Sequence, residues 1–197
     1  MGVSYKHEAN KDHLLNKGME ILWTNGYNGT SVGNIVKAAG VPKGSFYNYF
    51  ESKEDFVIQA LDKYFSEMFP HALKIIEDPQ LPGKEKMYQL YSFKVKMALS
   101  ELEHKMGCMA LNLGNEMSDH SEAIRKAIVE KESFVKNKVV DIVREGQKRG
   151  EIKTELSAES MVDFIDDAWK GAMVTAKEYR SDEPLNNFLE VLQKVIL

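Results

Sequence analysis

The sequence contains little that would cross-link the chain or anchor it. Its one cysteine, Cys108, cannot form an internal disulfide. No stretch approaches 18 uncharged apolar residues, and no apolar run stands near the N-terminus, so neither a membrane span nor a signal peptide is predicted. These absences favour a protein that works in the reducing cytoplasm without a membrane partner.

The motifs of common enzyme and cofactor sites are also missing. The sequence has no glycine-rich phosphate loop, no nucleotide-binding fingerprint and no His/Cys spacing typical of a metal site. Cys108 with His104 or His120 could act as a nucleophile and its base, but His104 lies across a predicted helix break and no neighbouring residues suggest an oxyanion hole. We therefore expect no enzymatic activity, no cofactor and no metal.

Charge gives only a weak indication of a partner. The net charge of −4 argues mildly against a nucleic-acid-binding protein. Residues 30–53 are nevertheless locally basic, because they contain Lys37, Lys43 and Lys53 against the single acid Glu51. Of these lysines, Lys37 is interpreted as a solvated side chain.

The dominant pattern is the helical spacing of apolar residues, and no segment has the two-residue alternation of a β-strand. The first helix should stop at Gly26 and the second, capped by Thr30 or Ser31, at Gly40. After a third, short helix, further helices are predicted over 53–77, 84–104, 107–117, 121–149, 157–179 and 184–197. The expected fold is therefore all-α, with about nine helices.

The segment from Thr30 to Phe50 has the pattern of a helix-turn-helix. Gly40 supplies the tight turn between two short helices, and Phe46 and Phe50 fall on the inward side of the second helix. Four residues share its opposite side, with Ser45 at the edge: Lys43, Gly44, Tyr47 and Asn48. This side would face the major groove of DNA.

The outward residues have chemistry that suits DNA. Lys43 and Lys53 can neutralise phosphates, and the backbone N–H groups of Gly44 and Ser45 can donate to a phosphate at a helix N-terminus. The amide of Asn48 can pair with an adenine edge.

The run GYNGTSVGNIVKAAGVPKGSFYNYFESKEDF, over Gly26–Phe56, closely resembles the DNA-binding domain of TetR/AcrR-type repressors. The likeness includes Gly-Tyr after the first helix, Thr-Ser before the second, Ala-Gly-Val in the turn and Lys-Gly-Ser-Phe-Tyr in the recognition helix. It is strong over about the first 65 residues, and beyond them only the layout matches.

The resemblance implies a DNA-binding domain over 1–52 and a helical effector-binding and dimerisation domain over 53–197. The protein would be a one-component repressor that binds double-stranded operator DNA as a homodimer and is released by a small hydrophobic or electrophilic effector. An activator is the alternative. The residues assigned to DNA binding are Thr30, Ser31, Lys43, Gly44, Ser45, Tyr47, Asn48, Tyr49 and Lys53. Tyr49 could equally belong to the core, and Asn48 stands where Tyr or His is frequent, so the operator preference can differ.

The run MGCMALNLGNEMSD, over Met106–Asp119, resembles a NemR-like subgroup in which some repressors sense oxidants or electrophiles through a cysteine. A reactive thiolate needs a nearby cation or a helix N-terminus. Cys108 should begin a helix, and Lys177 is the preferred cation over Lys170 or His104. The alternative is that Cys108 is simply a small buried apolar side chain.

Methionine is abundant, and its adaptable thioether suits an apolar pocket, although ordinary core packing is the alternative for each. The predicted effector and redox residues are Cys108, Lys177, Met97, Met109, Asn112, Trp169 and Met173.

The last two predicted helices each carry a broad apolar stripe. The family resemblance implies that these stripes form a dimer interface, and packing within the chain is the alternative. A helical scaffold that binds no DNA is a competing function, but it leaves the Lys43–Tyr47 run unexplained.

Overall fold

The computed structural model describes residues 2–100 and 107–197, and all regular structure in these ranges is helical, which confirms the all-α prediction. The helices are α1 (Gly2–Asn25), α2 (Val32–Ala38), a 3-10 helix (Lys43–Asn48), α3 (Lys53–Ile76), α4 (Gly83–Ser100), α5 (Met109–Met117), α6 (Glu122–Lys148), α7 (Ala158–Tyr179) and α8 (Glu183–Val191), followed by a π-helical turn (Leu192–Ile196). Among the described helices, none combines the length and the apolar character that a membrane crossing requires.

Helix ends near the predicted turn follow from local chemistry. Ser31 caps α2, because its hydroxyl accepts the Asn34 N–H while the Asn34 side chain accepts the Ser31 N–H. Of the two predicted caps, Ser31 is therefore the one used. Gly40 has a φ of 68° after the end of α2, and the following N–H, of Val41, donates to the Val36 carbonyl at 3.0 Å. This Schellman motif stops the helix and confirms the predicted turn.

Most of the other described helix ends lie within a few residues of the predicted bounds, but α8 ends at Val191, six residues before the predicted end at residue 197, and the π-helical turn follows it. The Ser157 hydroxyl caps α7, and Gly150, with a φ of 71°, follows the end of α6. α5 begins at Met109, two residues later than expected, because Gly107 has a φ of 65° that no helix accommodates. The predicted end of the helix over 84–104, which includes His104, lies outside the described residues.

The chain forms two compact units that do not coincide with a single cut in the sequence. Unit 1 contains Met1–Ser66 and Met109–Val129, and unit 2 contains Glu67–Cys108 and Glu130–Leu197. Both α3 and α6 therefore contribute residues to each unit. These units are defined by contacts within the fold. The boundary predicted between a DNA-binding and an effector-binding domain, at residues 52 and 53, divides the chain by function and stays a prediction.

The core of unit 1 is built by the first helices and the 3-10 helix. α1 and α2 approach each other closely at Gly18, where an added Cβ would lie 2.6 Å from Ile35 and from Phe56. The fully buried large side chains of unit 1, including two from α5, are Leu14, Leu22, Ile35, Phe46, Phe50, Phe56, Leu61, Met109 and Leu113. This core fixes the base on which the 3-10 helix rests.

Unit 2 contains a separate apolar core to which α3, α4, α6, α7 and α8 contribute. Its most buried members are Met87, Leu90, Tyr91, Val143, Val162, Ile165 and Leu192. Pro70 lies inside α3, four residues after Ser66, where the first segment of unit 1 ends. Because proline has no N–H, it cannot donate the usual helical hydrogen bond to the carbonyl of Ser66.

Candidate nucleic-acid interface

The 3-10 helix separates an inward aromatic side from an outward polar side. Phe46 and Phe50 are 0% and 1% exposed, and their ring centroids lie 5.1 Å apart. The Tyr47 side chain between them in sequence is 58% exposed. Lys43, Gly44 and Asn48 are also exposed. The predicted division into an inner and an outer side is thus confirmed, although the segment is a 3-10 helix of six residues.

Gly44 leaves the outer side without a side chain at a position where the fold does not require glycine. A Cβ added at Gly44 would meet no atom within 4 Å. The missing side chain is therefore explained neither by crowding nor by a left-handed backbone. It gives the surface between Lys43 and Tyr47 a bare stretch of main chain, which a phosphate group could approach closely.

The expected phosphate donation from the backbone of Ser45 is wrong for this conformation. The Ser45 N–H donates to the carbonyl of Pro42 at 2.9 Å. A 3-10 turn closes hydrogen bonds three residues apart, so it uses a donor that an α-helix would leave unpaired in its first turn.

Thr30 and Ser31, which were also assigned to DNA binding, lie in the loop before α2, and the assignment of Ser31 stays a prediction. Thr30 is 1% exposed, and its hydroxyl points to the Ile21 carbonyl at 3.5 Å, so its side chain belongs to the core rather than to a DNA-facing surface. Ser31 is exposed, but its hydroxyl is occupied by the cap with Asn34, donating to the amide oxygen at 2.5 Å.

Lys53 is tied to the same loop. Its ammonium donates to the carbonyls of Tyr27 and Thr30, each at 3.0 Å, and lies 3.9 Å from the centroid of the Tyr27 ring. Partial burial lowers the pKa of Lys53, while the negative charge of Glu116 acts in the opposite direction. An ammonium has three donors, so one is left for the predicted phosphate contact, which stays a prediction.

A carboxylate from α5 holds the other side of this loop. The backbone N–H groups of Tyr27 and Asn28 donate to the two oxygens of Glu116, each at 2.7 Å. Nearby, the Ser121 hydroxyl donates to Glu54 at 2.5 Å and also caps α6 by accepting the N–H of Ile124. Sequence reasoning missed Glu116 and Ser121, because 89 and 67 residues separate the partners and no local motif marks such contacts.

The predicted effector residues are distributed over both units. Cys108 is half-buried and immediately precedes α5, which confirms its predicted place at a helix start. Met109 is fully buried and Asn112 half-buried, and both belong to α5 in unit 1. The cysteine itself is counted with unit 2.

The other four predicted effector residues belong to unit 2. Met97 is half-buried in α4, Met173 is buried in α7, and Lys177 is exposed in the last turn of α7. Lys170, the second candidate cation for Cys108, forms an ion pair with Glu132 at 2.8 Å. The pairing of Lys177 with Cys108 remains a prediction.

Trp169, the last of the predicted set, belongs to an aromatic cluster with a polar edge. Its ring centroid lies 5.6 Å from that of Phe188 and 6.3 Å from that of Tyr91. The Tyr91 hydroxyl donates to Asp166 at 2.7 Å, and burial together with this carboxylate raises the pKa of Tyr91 well above its ordinary value. Lys94 lies 4.5 Å from the centroid of the Tyr91 ring.

Most of the apolar stripe on the last two helices is used inside unit 2. Met161, Ile165, Leu185, Phe188 and Leu192 are buried in the chain itself. The alternative of packing within the chain is therefore correct for these residues. The large apolar side chains that α7 and α8 leave exposed are Phe164, Val174, Tyr179 and Val191.

Comparison with known proteins agrees with this architecture in both halves. Residues 14–60 match the family model for bacterial regulatory proteins of the tetR family, and residues 85–192 match the model for a tetracyclin repressor-like C-terminal domain. The chain is 35% identical to the repressor DhaR of Mycobacterium sp. (strain GP1), over 95% of this chain and 92% of that protein. It is 26% identical to the repressor NemR of Escherichia coli (strain K12), over 100% of this chain and 98% of that protein.

A solved structure extends the likeness from sequence to fold. The crystal structure of the reduced form of E. coli NemR superimposes with a TM-score of 0.86, covering 96% of this chain and 97% of that one at 26% identity. The C-terminal family model alone spans more than half of the sequence. The chain belongs to the TetR family of transcriptional regulators.

Proposed function

We propose that the protein is a transcriptional repressor that binds operator DNA as a homodimer through the outer side of its 3-10 helix and releases the DNA when a small effector binds. One observation carries the proposal. Lys43, Gly44, Tyr47 and Asn48 are exposed on a segment that the buried Phe46 and Phe50 hold in place. The Tyr47 ring contacts Phe46 edge-on, with 5.3 Å between the ring centroids, and its other edge is left open to a partner, as are the side chains of Lys43 and Asn48 and the main chain at Gly44.

Each outward residue then has a distinct part. The ammonium of Lys43 neutralises a phosphate, and the missing side chain of Gly44 lets the main chain approach the DNA backbone. The amide of Asn48 and the exposed Tyr47 side chain reach base edges, so they set the sequence preference. Loss of Lys43 should thus weaken binding to all DNA, and loss of Asn48 should change which DNA is preferred.

A salt titration of DNA binding tests the phosphate contact. Binding to the DNA upstream of the protein's own gene is measured by fluorescence anisotropy at several salt concentrations, for the wild type, Lys43→Ala and Lys84→Ala. Lys84 is an exposed lysine of α4 in unit 2, so its removal changes the net charge equally. We expect Lys43→Ala to reduce the slope of log K against log salt by about 1.8 for two protomers, at about 0.9 for each phosphate contact.

The control separates a local contact from a general charge effect. Lys84→Ala should leave the slope close to that of the wild type. If both variants changed the slope equally, Lys43 would have no contact of its own. The wild type could bind the upstream DNA no better than unrelated DNA. If it then also bound no fragment of a genome-wide library more tightly than unrelated DNA, the repressor proposal would fail.

Dimerisation is proposed from the apolar residues that remain outside the core of unit 2. Phe164 is 60% exposed on α7, Val174 on the same helix is 37% exposed, and Val191 at the end of α8 is 39% exposed. A second copy that covered them would also present two recognition segments to successive half-sites. Sedimentation of Phe164→Glu should show monomers at concentrations where the wild type is dimeric. Phe134→Glu, which adds the same charge at a 48% exposed position of α6, should remain dimeric.

The effector is proposed to be a small hydrophobic or electrophilic molecule that acts at the Cys108 region. Two features support a redox or electrophile response, namely the position of the thiol directly before α5 and the resemblance of this run to the NemR-like subgroup. Hydrogen peroxide would oxidise the thiolate to a sulfenic acid, because the sulfur attacks one peroxide oxygen, an S–O bond forms as the O–O bond breaks, and hydroxide leaves. Lys177 is the proposed cation that would stabilise the thiolate.

The effector proposal is tested by repeating the binding assay with hydrogen peroxide. Operator binding that is lost in the wild type and kept in Cys108→Ser would support the thiol switch. Binding that resists peroxide in both proteins would contradict it and leave a non-covalent ligand near Trp169 and Met173 as the effector.

A further inference from the structure

The backbone of the loop between α1 and α2 is bonded to two side chains of opposite charge, Glu116 and Lys53. Glu116 of α5 accepts the N–H groups of Tyr27 and Asn28 at 2.7 Å each. The Lys53 ammonium donates to the carbonyls of Tyr27 and Thr30 at 3.0 Å each. Hydrogen bonds to charged groups are shorter and about twice as strong as neutral ones. The loop backbone should therefore move together with Glu116 and Lys53.

The carboxylate also occupies space that only a glycine leaves open. Gly26 has a φ of 72°, and a Cβ added there would lie 2.5 Å from a Glu116 oxygen. Any other residue would push the carboxylate away from the two N–H groups. The close approach therefore depends on the glycine at the end of α1 as well as on the glutamate.

What the loop holds is the first helix of the helix-turn-helix. The loop ends at Ser31, which caps α2, and the neighbouring Thr30 is buried. α5 is thus connected to the DNA-binding segment although it lies far along the chain, within the residues matched by the C-terminal family model. Its first residue follows Cys108 directly, and Glu116 lies seven residues later, about 10 Å along a helix.

We propose that Glu116 is a positioning residue for DNA recognition, which sets the orientation of the helix-turn-helix through the loop and transmits changes in α5 to it. The inference rests on the proposed repressor function. Loss of the carboxylate should free the loop and reduce discrimination between operator and unrelated DNA, while non-specific affinity, which depends on phosphate contacts, changes little.

The variant Glu116→Gln tests the proposal with little change in volume. A glutamine keeps one acceptor oxygen and turns a donor group towards the second N–H, so at least one hydrogen bond is lost. Asp119→Asn is the matched control, because it removes the same charge from an exposed position two residues after α5. Both variants are compared with the wild type below their melting temperatures.

Two measurements are made on these proteins. Hydrogen exchange of the DNA-free protein reports on the amides of Tyr27 and Asn28, which should exchange at least about tenfold faster in Glu116→Gln alone. Anisotropy titrations give the ratio of affinities for operator and scrambled DNA, which should fall about fivefold or more in Glu116→Gln and stay unchanged in Asp119→Asn.

Each outcome decides something. Unchanged exchange in Glu116→Gln would show that the carboxylate does not hold the loop and would overturn the proposal. Faster exchange with an affinity ratio equal to that of Asp119→Asn would overturn the positioning role, because loosening the loop would then be without effect on recognition. A ratio of one in the wild type itself would overturn the repressor function, and the positioning role with it.

Discussion

Each compact unit contains a buried aromatic cluster, and the two clusters differ in their polar content. In unit 1, Phe46, Phe50 and Phe56 are all at most 1% exposed and carry no polar atom. In unit 2, the cluster contains the Tyr91 hydroxyl bonded to Asp166, with Lys94 over the tyrosine ring. A purely apolar cluster contributes packing energy to the helices around it. A cluster with buried polar groups can in addition distinguish one ligand from another through hydrogen bonds.

The comparison is tested most strongly by Phe46→Ala. The ring is fully buried on the inner side of the 3-10 helix, so its removal should cost about 3–5 kcal/mol of unfolding free energy. Urea denaturation followed by circular dichroism would measure this cost. The matched control is Phe134→Ala, a 48% exposed phenylalanine of α6, for which we expect about 1 kcal/mol or less. Equal costs would mean that the unit 1 cluster is not the support that its burial indicates.

Tyr91→Phe tests the polar part of the unit 2 cluster. The ring and its packing are kept, and only the hydroxyl that donates to Asp166 is lost. We expect a cost of about 1 kcal/mol, because the Asp166 carboxylate still has Lys94 at 3.9 Å. Tyr179→Phe, at a 74% exposed position, should be neutral in the same urea experiment. A cost for Tyr91→Phe as large as that of Phe46→Ala would remove the contrast between the clusters.

Gly44→Ala should affect DNA binding without affecting the fold. The free protein has open space for the added methyl group, so the free energy of unfolding should change by less than about 1 kcal/mol. If the main chain at Gly44 lies against the DNA backbone, operator affinity should fall. Thermal unfolding and an anisotropy titration measure the two effects. Unchanged affinity would contradict the close approach.

The smallest effect is expected at an exposed ion pair of α6. Hydrogen bonding to Arg125 is the main cause that lowers the pKa of Glu122 to about 2. Because this carboxylate has a lowered pKa in the folded protein, any stability it adds is present above its ordinary value of 4.5 and is lost as the pH falls towards 2.

An NMR titration of Glu122 should therefore show its midpoint move up towards 4.5 in Arg125→Ala. Lys126→Ala should move it less, because Lys126 is a weaker cause of the shift. Thermal stability at neutral pH should hardly change, since both partners are solvent-exposed. A larger shift in Lys126→Ala than in Arg125→Ala would reverse this assignment.

The sequence was sufficient where the determining chemistry is local. Gly26 and Gly40 end helices through their own backbone angles, and Ser157 caps α7 by accepting the N–H of Ser160, three positions away. The inward and outward sides of the 3-10 helix also follow from the spacing of its residues. These features depend on neighbours within one or two helical turns, which a single sequence displays directly.

The sequence was insufficient where a contact joins residues far apart in the chain, or where two backbone conformations are close in energy. The hold of Glu116 on the loop joins residues 89 positions apart, and the Lys53 ammonium reaches back over 26 and 23 positions to two carbonyls. The occupied amide of Ser45 depends on a 3-10 rather than an α-helical turn, which residue types do not decide. Which apolar residues of α7 face the chain's own core likewise depended on the packing of other helices.

The proline inside α3 has a mechanical consequence. A helix with an unbroken ladder of hydrogen bonds resists bending as a rod, and α6, whose sequence contains no proline, fits that description. α3 lacks one backbone hydrogen bond, because Pro70 has no N–H to donate to the Ser66 carbonyl. Bending the helix at this point therefore breaks one hydrogen bond fewer. Of the two helices shared by both units, α3 is therefore the compliant member and α6 the stiff one.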